Sequence, residues 1–119
     1  MSRYGQRVRP FVQSEFDAAR EARQRGDASA EFAHLERAHV LGQADTALHV
    51  RVHCAMLVWG LRQCSLRQIA GQLLRIVGAA TKTAVGLVPL GNTGGADVSP
   101  LRSMPIAPDL QRLIDAASR

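Results

Sequence analysis

The chain reads as an all-α protein: a bundle of four main helices in two antiparallel hairpins, then a Gly/Pro-rich extended arm and a short C-terminal helix. Three observations predict this. Apolar residues recur at helical spacing in four successive segments. The breaks between them are short and contain Gly, Asp or Ser, and short loops make neighbouring helices antiparallel. Aromatics are confined to Tyr4, Phe11, Phe16, Phe32 and Trp59. The core must therefore be built from Ala, Leu, Val and Ile, which suits close helix packing.

At 119 residues the chain has the size of one domain with a real hydrophobic core. Residues 1–10 carry Arg3, Arg7 and Arg9, end at Pro10, and read as an irregular basic arm. Residues 11–119 read as a single helical domain. Its first helix, 11–24, places Phe11, Val12, Ala18, Ala19 and Ala22 toward one side, with Phe16 at the edge. Gly26 and Asp27 stop it, and Asp27 caps a second helix over 28–41. Gly42 ends that helix. Asp45 or Thr46 caps a third, 47–63, the most apolar of the set.

Ser65 caps a fourth helix over 66–80, reaching at most residue 84, with Leu66, Ile69, Leu73, Ile76 and Val77 on one stripe. Residues 86–108 are too rich in Gly and Pro for a regular helix, yet apolar enough to pack as an extended arm across the bundle. Pro108 and Asp109 open the last helix, 110–117, with Leu110, Leu113 and Ile114 facing in. The second segment partly resembles a tetratricopeptide hairpin at its Gly26-Asp27 turn and at Ala38. Glu31 stands where that repeat keeps a small residue, so the likeness is one of geometry.

Composition narrows the function classes. Net charge is +5, nearly all from arginine, and no acidic residue lies between Asp45 and Asp97. The positives are dispersed and lack companion aromatics for base stacking, which argues against nucleic acid and leaves an acidic protein partner or a homodimer open. Cys54 and Cys64 lie in one helical stretch, about 15 Å apart along its axis, too far for a disulfide. There is no charged-then-apolar leader and no apolar run of membrane-spanning length, so a cytoplasmic protein without a membrane partner is expected. Residues 91–95 match neither Walker nor GxGxxG spacing and read as a tight turn.

The informative chemistry is histidine. His34, His39, His49 and His53, all that the chain has, fall within one predicted hairpin. On the third helix Arg51 and Arg62 mark the water side, and His49, His53, Met56 and Gly60 lie opposite. His49 and His53, at i and i+4, can therefore meet one ion inside the protein. On the second helix Glu31 lies mid-stripe, flanked by His34 on one side and Phe32 and His39 on the other. Glu31-x-x-His34 has the i, i+3 spacing of carboxylate-bridged metal bundles.

Glu15 faces the same interior from the first helix. Together these predict a non-catalytic metal site with His34, His49, His53 and Glu31 as ligands, and Glu15 and His39 assisting. It would hold one or two divalent transition-metal ions, Zn, Fe, Ni, Cu or Mn. Met56, one turn beyond His53, would soften it toward copper, but also reads as core filler. The alternatives are a helical-hairpin interaction module with a basic partner surface, whose histidines and glutamates form a structural hydrogen-bond network, and a metal-dependent enzyme with an open coordination position.

Longer motifs carry a family resemblance. HLERAHVLGQ (34–43) with His49 and His53, RIVGAATKT (75–83), GLVPLGNTGG (86–95), VSP (98–100) and MPI (104–106) resemble a family of small bacterial proteins catalogued as a domain of unknown function, number 3703. The resemblance spans about residues 11–114. It implies a soluble, single-domain helical protein whose relatives often lie near heavy-metal resistance genes, and it names no activity. Cys54 and Cys64 are outside the motifs, and Asp97 stands where the pattern carries Asn.

Overall fold

The computed structural model describes residues 2–82 and 104–119. Within them the protein is all-α, with α1 Arg3–Gln24, α2 Ala28–Gly42, α3 Thr46–Arg62, α4 Leu66–Lys82 and α5 Pro108–Ser118. α1 packs along α2 and α3 along α4; α2 against α3 joins these hairpins, and α5 closes over α1 and α2. The predicted arm falls mostly on residues 83–103, outside the described ones. Its end, 104–107, is irregular, and Ile106 packs against the core.

The caps are those the side-chain chemistry dictates. Asp27 accepts from the Ala30 amide at 3.0 Å, Asp45 from Leu48 at 3.0 Å, and Ser65 from Gln68 at 3.3 Å. Gly26 takes a positive φ of 73° in the first turn, which only glycine adopts without strain. The core is aliphatic: Val8, Val12, Leu35, Ala38, Leu41, Leu48, Val52, Met56 and Leu110 are buried on the facing sides of α1, α2, α3 and α5.

The N-terminus departs from the expected irregular arm. α1 begins at Arg3 and runs straight through Pro10. Proline in a helix interior costs about 3 kcal/mol through the lost hydrogen bond and ring clash. Here tertiary contacts offset it. Val8 and Val12 are fully buried on either side of the proline, which itself faces solvent. The Tyr4 hydroxyl donates to the Leu41 carbonyl at 2.7 Å. The Ser2 hydroxyl accepts from the Gly5 amide, and the Ser2 amide and hydroxyl donate to Asp45 at 2.9 and 2.7 Å. Burial pushes the Asp45 carboxyl up, but its hydrogen bonds from Ser2 and Leu48 outweigh this and hold it below the usual carboxylate range.

α4 also differs from its pattern. Its apolar stripe does not face the protein. Gln72, Arg75 and Ala79 are the buried side, whereas Leu66, Leu73, Leu74 and Val77 are each more than half exposed. The close approach that places this polar side on α3 depends on Gly60: a Cβ there would meet the Gln68 Cβ at 3.0 Å.

Asp45 caps α3 and anchors the start of α1 with one carboxylate. Asp45→Ala should therefore lower stability by about 1–3 kcal/mol in urea unfolding. Amide exchange should show the first two turns of α1 losing protection before the rest of that helix.

Candidate metal centre

Three imidazoles meet where α2 and α3 face each other beneath α4. His39 lies in the last turn of α2, brought back by the turn at residues 43–45. His49 and His53 lie one turn apart on α3 and face it. His39 Nε2 is 3.0 Å from His49 Nε2 and 3.1 Å from His53 Nε2, and the ring centroids are 4.7 to 4.9 Å apart. All three side chains are buried, and their ligand atoms lie within 4.8 Å of one another. Among the described residues no cysteine or carboxylate joins this group.

α4 orients the cluster. His53 Nδ1 donates to Gln72 Oε1 at 2.7 Å, and Gln72 Nε2 donates to Gln68 Oε1 at 3.2 Å. Gln72 is fully buried, so its bond with His53 is shielded from competing water. With the proton on Nδ1, the Nε2 lone pair of His53 is turned toward the other rings. Metal-binding histidines use this same arrangement, in which a partner on the far nitrogen fixes the tautomer.

Burial keeps His49 and His53 neutral. Burial pushes the His49 imidazolium down to about 3, with the neighbouring His53 adding to the effect. Burial likewise pushes His53 down to about 4; the Gln72 hydrogen bond opposes this and the nearby Arg75 charge reinforces it. Both rings are neutral at pH 7, each with one N–H and one nitrogen lone pair. Three nitrogens around a tetrahedral ion at 2.0–2.1 Å would sit about 3.3 Å apart. The two separations from His39 are within a few tenths of an ångström of that, whereas the His49 and His53 nitrogens, which lie within 4.8 Å of each other, would close toward one another around an ion.

The remaining residues expected at the site lie elsewhere. Glu31 is buried, as its stripe position predicts, but forms a two-bond ion pair with the Arg62 guanidinium, its Oε1 accepting from Nη1 at 3.0 Å. Arg62 therefore turns inward from what its sequence position marks as the water side. Glu15 accepts from Arg37 Nε at 2.9 and 3.0 Å, and His34 Nδ1 is 3.4 Å from the same carboxylate. Arg37 also bonds Asp109, tying α1, α2 and α5 together. The i, i+3 pair Glu31–His34 is thus split between two arginine-centred ion pairs, and His39 takes the central place. Met56 is fully buried one turn beyond His53 and belongs to the core.

Gln72 is not among the residues that the sequence pattern points to. Its signal is the spacing of Gln68, Gln72 and Arg75, a polar stripe at i, i+4 and i+7 that on an isolated helix reads as the solvated face.

In the unfolded chain a histidine titrates near 6.5. His49 and His53 lie well below that in the fold, so as pH falls below 6.5 the unfolded state takes up protons the folded state refuses. The metal-free protein should be fully stable above pH 6.5. It should lose on the order of 2 kcal/mol per histidine by pH 5, read as a falling urea midpoint. His49→Gln should flatten that slope.

No curated protein and no solved structure is significantly similar to the chain. One comparison does match over most of its length. The model of the family described as "Protein of unknown function (DUF3703)" covers residues 6–114, a span that takes in α2, α3 and α4, most of α1 and α5, and the whole histidine cluster, and the chain belongs to that family.

Proposed function

We propose that this protein binds a single transition-metal ion, without catalysing a reaction on it, through the Nε2 atoms of His39, His49 and His53. The observation that carries this reading is the convergence of three buried imidazole nitrogens, one of them aimed by Gln72. An all-nitrogen donor set suits Zn, Cu, Ni or Fe and is poor for Mg or Ca, which require oxygen. Since His49 and His53 are already neutral at pH 7, a metal need not displace their protons. Glu31 and Glu15, engaged by Arg62 and Arg37, are not ligands in this reading.

The same separations of 3.0 and 3.1 Å suit a hydrogen-bond network. In that second reading His39 donates to its neighbours, and the cluster only sets the register of α2, α3 and α4.

Elemental analysis and calorimetric titration separate the two. Metal binding predicts one equivalent of Zn, Cu, Ni or Fe and a clear rise in Tm on loading. Stoichiometric binding is lost in His39→Ala and His53→Ala. Gln72→Ala weakens affinity 10- to 100-fold, while Glu31→Gln keeps one equivalent. Protein that is metal-free as purified, and whose Tm no added transition metal raises, refutes the proposal and leaves the network.

A further inference from the structure

α4 presents its polar side to the protein and its apolar side outward. Leu66, Ala70, Leu73 and Val77 follow one another at spacings of four, three and four residues, the a/d seam of a coiled coil. All four are exposed, Leu66 at 81%, and Leu74 widens the strip along one edge. Among the described residues α3 is the helix that α4 packs on, and it takes the opposite side, through Gln68, Gln72 and Gly60. Contiguous apolar patches of this kind on a protein surface mark an interface.

We infer that this face is a homodimer interface in which α4 pairs antiparallel with α4 of a second copy. The seam is self-complementary in that arrangement. With the two-fold axis between positions 71 and 72, Leu66 meets Val77 of the second copy and Ala70 meets Leu73, and each pair recurs by symmetry. Two layers set a large side chain against a small one and two set Leu against Val, as an isologous contact requires. No like charges oppose. Flanking the seam are Ile69, Leu74, Ile76 and Thr81, with Arg67 the one charge, and α4 contains no acidic residue.

A lipid surface fits less well. A membrane-surface helix turns a Lys/Arg-rich polar face to water, whereas the polar face of α4 is turned to the protein interior. The pairing is independent of the metal site, since Leu73 points away from Gln72 and His53.

Sedimentation of the full chain from micromolar to millimolar concentration should report a dimer. Leu73→Glu should convert it to a monomer with unchanged helix content. Should that variant fail to fold, cysteine pairing tests the same contact in a Cys54→Ser, Cys64→Ser background. Leu66→Cys protein mixed with Val77→Cys protein should form a disulfide-linked dimer, and neither should do so alone. Each position is about 16 Å along the axis from its own symmetry mate. A wild-type monomer at every concentration overturns the inference, as does a monomer recovered on anionic lipid vesicles. Equal self-linking of each single variant, the mark of parallel pairing, also overturns it.

Discussion

The structure depends on keeping three imidazoles in one buried place, with His49 and His53 uncharged. Protonating His49 or His53 there would set a cation beside its neighbours with little water to solvate it, which is why both are pushed far below the ordinary histidine range. Neutral rings bring a different constraint: lone pairs facing one another repel unless something positive lies between them, a shared proton or a metal. Either occupant ties α2 to α3, and Gln72 extends the tie to α4. The three helices are thereby held by a polar cluster beside the aliphatic core.

The inward-facing charges are sorted so that this feature stays neutral. The buried carboxylate of Glu31 is matched by Arg62 and the half-buried Glu15 by Arg37, each through a guanidinium that can bond both oxygens or two partners. These pairs sit where α1, α2, α3 and α5 meet. Removing one partner would strand a buried charge, which is strongly destabilising. Arginine's reach makes this sorting feasible: Arg62, at the end of α3, spans to Glu31 near the start of α2.

α4 joins the two themes. Its inner face serves the histidines through Gln68, Gln72 and Arg75, and this leaves its leucines outside. A helix that gives its polar side to a site and its apolar side to the surface separates two tasks on one element. Gly60 on α3 suits the arrangement, because a Cβ there would meet the Gln68 Cβ at 3.0 Å and α4 would have to give by a few tenths of an ångström.

Much of this was legible in the residues. Helix number and order, the caps at Asp27, Asp45 and Ser65, and the inward direction of His49, His53 and Glu31 follow from spacing alone, since a helix of fixed pitch assigns every residue a face. Pitch does not say how far a neighbouring helix is rotated or which long side chain crosses a gap. That is why His39 moved from the margin to the centre and Glu31 turned to Arg62 instead of His34. The first turns of α1 formed despite Pro10 because Asp45, distant in sequence, holds Ser2, and the stripe of α4 faced outward because its glutamine side was wanted within. Which residues share a face is settled locally, by the pitch of each helix. Tertiary structure decided which faces meet, because that choice rests on contacts between segments that no local periodicity contains.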